Sequence, residues 1–236
     1  MRSAVLLLCA LYAGPAAGQA FLDRLPPEPP SPPPAPAGPG DELARRPFEI
    51  APELGWTSPI CRGDAYGVVK CADAASGPGL GLGALYRPTP HVALGGAYHH
   101  ASFRFAAGMS EYGASSARLD WGGLLARGYF QDRGRTDAWI EAGVGIGRYA
   151  IRYGLAGGDV SAAATGPATM VAAGLDVWIT PDLRVGPALS YRWTFYGDLR
   201  VCSAGACRTE SIDDGGIAGS EIAVTIGATW AIGKTM

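Results

Sequence analysis

The segment Ser220–Trp230 reads S-E-I-A-V-T-I-G-A-T-W, and its alternation is the strongest constraint on what this chain can fold into. Ile222, Val224, Ile226, Ala228 and Trp230 fall on one face of an extended strand. Glu221, Ala223, Thr225, Gly227 and Thr229 fall on the other. One face is oily and the other small or polar, over the length that a tilted strand needs to cross hydrocarbon. The same pattern recurs along the chain, which predicts an all-β fold: an eight-stranded, antiparallel, up-and-down transmembrane β-barrel.

Three regions are expected. Residues 1–20 read as a secretory signal peptide, with Arg2 after the initiator, an apolar core from Ala4 to Ala13, and small residues for cleavage near Ala16–Ala20. That core is too short to span a bilayer as a helix. Residues 21–46 form a Pro-rich linker, P-P-E-P-P-S-P-P-P-A-P-A-G-P-G from Pro26 to Gly40. Prolines this dense favour an extended polyproline conformation, a spacer of roughly 45 Å at about 3.1 Å per residue. This linker is expected in the periplasm. Residues 47–236 carry the barrel.

The formal charge of −2 gives no reason to expect a nucleic-acid partner. Beyond the leader, Lys70 and Lys234 are the only lysines, so the charged coat that a soluble β-protein uses to guard its edges is missing. Cys61, Cys71, Cys202 and Cys207 remain after processing, and their even number in an exported chain predicts two disulfides of open connectivity. Their spacing does not suit a metal site.

Eight strands are expected: Phe48–Thr57, Gly79–Arg87, His91–Phe105, Ala117–Phe130, Thr136–Tyr153, Pro167–Ile179, Leu183–Tyr196 and Ser220–Trp230. The connections alternate long and short, with Gly154–Thr165 read as one of the long, small-residue loops. That asymmetry matches short periplasmic turns and longer outside loops.

The oily faces hold Phe48, Ile50, Leu54 and Trp56, then Leu119, Trp121 and Leu125, with similar sets in the later strands. The opposite faces are mostly Gly, Ala and Ser broken by a few charges of both signs. The interior of an eight-stranded barrel is just wide enough to be filled by side chains, so the small face is assigned to the lumen. Buried charges persist when paired. Glu53, Asp120, Glu141 and Asp176 are therefore expected to meet Arg118, Arg184 and Arg192 inside the barrel. A soluble lipocalin-like binder would show the reverse sidedness. Aromatic residues near strand ends, among them Trp56, Tyr86, Tyr98, Trp121, Tyr129, Tyr191, Trp193 and Trp230, fit interfacial girdles, while Trp139 and Trp178 are expected to point inward.

With strand number, loop asymmetry and segments such as A-L-Y-R-P-T-P-H-V-A-L-G-G-A-Y and A-G-L-D-V-W-I-T-P-D-L-R-V-G-P, the chain resembles the small outer-membrane β-barrels, the OmpA-like transmembrane domains of Gram-negative bacteria. The resemblance implies outer-membrane lipid and the barrel-assembly machinery as partners, with no cofactor. It names no partner for the outside loops.

The principal expectation is a non-enzymatic barrel with a role in envelope integrity or surface interaction and with disulfide-bridged outer loops. No residue is assigned as catalytic, cofactor-binding or metal-ligating. An alternative is a lipid-modifying barrel enzyme. The chain is similar in size to the lipid A deacylases, which use His, Ser and an acid on the lipid-facing wall. His100 and Ser102 stand two apart on one strand face, and Glu111 follows in the loop. A passive pore ranks last, since eight strands filled by paired charges leave no aqueous channel.

Overall fold

A computed structural model describes residues 47–60, 76–103, 114–131, 136–155, 158–203, 205–211 and 217–233. The expected leader and linker, Cys61, Cys71 and Glu111 lie outside them. Ten strand segments follow one another: β1 (Phe48–Ile60), β2 (Gly77–Thr89), β3 (Val92–Phe103), β4 (Ala114–Gln131), β5 (Thr136–Leu155), β6 (Gly158–Thr180), β7 (Leu183–Tyr196), β8 (Asp198–Ser203), β9 (Ala206–Ser211) and β10 (Ile217–Ile232). Each of β1–β7 pairs antiparallel with its sequence neighbour, and β10 closes the cylinder between β7 and β1. Those eight strands make a closed barrel with no free edge in the wall.

Two of the tight turns are set by threonine. Thr89 Oγ1 accepts from Val92 N at 3.1 Å, and Thr180 Oγ1 accepts from Asp182 N at 3.3 Å. Such hydroxyl-to-backbone bonds stand in for ladder bonds where the chain reverses. The β2–β3, β4–β5 and β6–β7 connections lie at one end of the barrel, together with Phe48 and Ile232. Ile60, Gly77, Phe103, Ala114, Leu155 and Gly158 mark the other end, which faces outward in an outer-membrane barrel.

The wall extends further outward than the residue pattern suggests. Gly154–Thr165, read from sequence as a loop, is instead mostly strand: β5 and β6 stay in register up to Leu155 opposite Gly158. Small residues hide strand periodicity, because Ala and Gly give no hydrophobic contrast between faces. Where β7 ends, β8 takes over as the partner of β6, pairing Thr165 with Asp198 through Val160 with Ser203. β9 then folds back on β8, with Gly205 at φ 81° in the turn and Cys202 bonded to its register partner Cys207.

The outer face is greasy, with Leu54, Leu124, Val144, Ile146 and Ile226 each more than 60 % exposed. The interior is filled by pairing large side chains with glycine. Trp139 lies across Gly174, where a Cβ would sit 2.3 Å from its Cζ2 atom, and Trp121 packs over Gly123 and Gly143. Trp139 and Trp178 both point inward.

Gly174→Ala should therefore destabilise the barrel by about 1–3 kcal/mol, the usual range for overpacking a filled core. Gly197→Ala, with nothing within 4 Å of its Cβ position, should be near neutral. Urea unfolding in detergent, followed by heat-modifiable gel migration, separates the two; equal midpoints would refute this account of lumen packing.

Candidate functional site

Charged side chains occupy two regions, one inside the barrel and one on its outer wall. In the periplasmic half of the lumen, Glu49 accepts from Arg87 Nη1 at 3.1 Å and from Arg184 Nη2 at 2.8 Å. Arg184 also lies 2.9 Å from Asp176 and 3.8 Å from Asp137. Arg127 Nε donates to Glu141 at 2.7 Å with its guanidinium over the Trp139 ring. Further out, Arg192 donates to Glu221 at 3.0 Å, stands 4.0 Å from Glu53, and Glu53 pairs with His99. Of the seven residues assigned to the lumen from sequence, Glu53, Glu141, Asp176, Arg184 and Arg192 therefore face inward.

Arg118 and Asp120 do not. Strand β4 has the opposite sidedness to that read from its sequence: Leu119, Trp121, Leu125 and Tyr129 point inward and are buried. Arg118, Asp120 and Leu124 point outward, Arg118 with 53 % of its side chain exposed. The physical reason is that both faces of β4 carry apolar residues, so alternation does not determine its sign, and a one-residue offset flips every side chain. Parity in the sequence and register in the structure together settle the sign. Arg118 and Arg127 have opposite parity and cannot share a face, and only Arg127 has a carboxylate, Glu141, as its register partner. Glu49, Arg87, His99, Arg127, Asp137 and Glu221 complete the lumen clusters, which depend on depth as well as parity.

On the outer wall, Asp120 meets the pair expected from sequence. His100 and Ser102 project from the same face of β3, and Asp120 is the direct cross-strand partner of His100 on β4. His100 Nδ1 lies 2.7 Å from Asp120 Oδ1, and His100 Nε2 lies 3.0 Å from Ser102 Oγ. An ionised carboxylate only accepts, so Nδ1 carries the proton and Nε2 is left to accept from the serine hydroxyl. Tyr98 OH donates to the same Asp120 oxygen at 2.6 Å, and Arg118 Nε stands 4.0 Å from the other. The result is a hydroxyl, an imidazole and a carboxylate in hydrogen-bonded series.

The height of this series on the wall matters. Going outward along each strand, the greasy face runs Leu94, Gly96, Tyr98 on β3, Leu124, Gly122 on β4, and Val144, Ile146 on β5. The next outward positions are His100, Asp120 and Arg148, and the register sets these three side by side. The row beyond holds Ser102 and Arg118. The hydroxyl thus stands where hydrocarbon gives way to headgroups. Beside it is a groove of about 840 Å³ whose lining includes His100, Ser102, Arg118 and Arg148.

No protein-family profile matches this chain, and no curated protein is similar to it in sequence. Solved structures do resemble it. Neisserial surface protein A is 13% identical with a TM-score of 0.52, over 78% of this chain and 97% of that one. A major outer membrane protein from Thermus thermophilus is 11% identical with a TM-score of 0.55, over 78% of this chain and 98% of that one. At such identities the likeness is one of fold. Closure and sidedness give the chain the fold of the small eight-stranded outer-membrane β-barrels.

Arg184→Met should cost about 3–5 kcal/mol, because Glu49, Asp137 and Asp176 would be left buried with their shared cation removed. Arg118→Met, on the outer wall, should change stability by less than about 1 kcal/mol. Unfolding midpoints in detergent test the contrast; similar losses would contradict the sidedness of β4.

Proposed function

We propose that this barrel is a serine hydrolase that cleaves an acyl ester of a lipid in the outer leaflet. Ser102 is the nucleophile, His100 the general base, and Asp120 the carboxylate that orients the imidazole. The observation that carries the reading is the Ser102–His100–Asp120 series at 3.0 and 2.7 Å on the membrane-facing wall. The buried ion pairs of the barrel wall sit inside the lumen, where they fill space. A serine, histidine and aspartate facing lipid fill none, and charge on that face is destabilising except near the interfaces.

The chemistry follows from the geometry. As Ser102 Oγ attacks the ester carbonyl carbon, its proton passes to His100 Nε2, and Asp120 stabilises the imidazolium through Nδ1–H. Collapse of the tetrahedral intermediate breaks the carbonyl–alkoxy bond, and His100 returns the proton to the departing alkoxide. Water then attacks the acyl-serine through the same base, which releases the fatty acid and restores Ser102. In a β-wall the backbone N–H groups belong to the ladder, so oxyanion donors come from side chains. Arg118, the register partner of Ser102, is the nearest cation to that position in the ladder.

This reading takes the lipid-modifying alternative over the non-enzymatic role, and it does so because the acid is within hydrogen-bond reach of the histidine. A surface role is compatible with it and draws support from the exposed β8–β9 hairpin with its Cys202–Cys207 bridge. The paired lumen charges support a plugged barrel, for which planar bilayers should show no steady large conductance.

Purified protein in detergent, given outer-membrane lipids bearing ester-linked acyl chains, should release fatty acid. Ser102→Ala and His100→Ala should each lower kcat about a thousandfold or more, with Asp120→Asn also severely impaired. A fluorophosphonate should label Ser102 and no other residue. Undiminished hydrolysis by Ser102→Ala, in a barrel that still migrates as folded, would sink the proposal.

A further inference from the structure

The outer wall beside the hydrolytic series carries more positive charge than a lipid-facing surface requires. Arg148 on β5, Arg118 on β4 and Arg152 on β5, in that order going outward, all project from the wall. Among the described outward side chains of β3, β4, β5 and β6, Asp120 is the only carboxylate; one of its oxygens is engaged by His100 and Tyr98, and Arg118 Nε stands 4.0 Å from the other. Arg148 stands directly across from Asp120, and Arg118 is its diagonal neighbour. Diagonal positions on one sheet face are about 7–8 Å apart, which two arginine side chains easily span.

We infer that Arg118 and Arg148, with Arg152 one row further out, form a clamp for the phosphate of a lipid headgroup. The clamp holds that lipid with its acyl ester at Ser102. The inference rests on the hydrolase reading for the identity of the neighbouring group, while the anion site itself stands on the arginines. Three observations point to a phosphorylated lipid. The guanidiniums sit at the level where headgroups begin, immediately outward of Tyr98, Gly122 and Ile146. Arginine's planar fork matches phosphate oxygens in pairs. The groove that contains Ser102 also contains Arg118, Arg148 and Arg152, so one molecule can reach the clamp and the nucleophile together.

The order of rows sets the expected fit. From the greasy belt outward come the His100–Asp120–Arg148 row, then Ser102–Arg118, then Ser116–Arg152. A substrate whose chains lie against Leu124 and Val144 would present its ester near Ser102 and its phosphate sideways, toward β5. The selected feature is therefore a phosphate close to the acylated carbon. A neutral headgroup offers Arg118 and Arg148 no such contact.

The test uses full-length Ser102→Ala protein in neutral detergent, so that lipid is bound and not consumed. The probes are a diacylglycerol 3-phosphate and the same diacylglycerol lacking phosphate, with binding read by native mass spectrometry. The phosphorylated lipid should bind about tenfold more tightly, as expected for added charge-assisted hydrogen bonds. Arg148→Gln should bring that preference to within about twofold, and Arg148→Lys should keep part of it. Arg208→Gln, on the β8–β9 hairpin and outside the groove's lining, serves as the charge-matched control and should keep all of it. Equal affinity for the two lipids, or a full preference in Arg148→Gln, would overturn the clamp. So would displacement of the phosphorylated lipid by millimolar inorganic phosphate, which would mark a site for free anions. An Arg148-dependent preference in a protein whose native form hydrolyses neither lipid would uphold the clamp and remove the hydrolase reading.

Discussion

Everything in this molecule depends on the requirement that backbone N–H and C=O groups be paired where no water can reach them. A strand crossing hydrocarbon meets that requirement only through its two neighbours, so the sheet must close. Closure here is made by β10 between β7 and β1, with the first and last strands paired from Phe48–Ile232 to Ile60–Ser220. Once closed, each strand has one face toward lipid and one toward a narrow interior. That interior has room for Trp121 and Trp139 only because glycines lie opposite them. The lumen charges follow from the same geometry, since buried ions with no access to water need partners.

The ladder that closes the barrel also builds the candidate site. Antiparallel register sets Asp120 beside His100, and the two-residue repeat of β3 sets Ser102 next to His100 on the same face. No loop is needed to hold the three groups, and rigid strands fix their spacing. The arginines are placed by the same rule, one strand further round. Hydrolytic residues and headgroup contacts are thus successive rows of one β-surface at the edge of the greasy belt.

The legible part of the fold was the part with strong contrast between faces. β1, β5, β7 and β10 alternate large apolar residues with glycine or charge, and their sidedness could be read directly. β4 lacks that contrast: Leu119, Trp121 and Leu125 on one face compete with Leu124 and Phe130 on the other. Its alternation points to the wrong sign, and it carries Arg118 and Asp120 toward the lumen with it. The alanine-rich start of β6 fails for a related reason, since Ala162, Ala163 and Ala164 carry no signal of either face. For the site, the sequence showed His100 and Ser102 at the right spacing but pointed to Glu111 as the acid. Asp120 is eighteen residues beyond Ser102 and meets His100 only through the register of two strands.

By itself, then, the sequence determined the class of fold, the strand count, the tight turns and the side of most strands that meets lipid. These follow from periodicity and turn chemistry, which are local properties of the chain. Only the tertiary structure decided which way β4 faces, which charges pair across the lumen, and that an aspartate completes a series with His100 and Ser102. Those are matters of register between strands, and register is settled by how all the side chains pack at once.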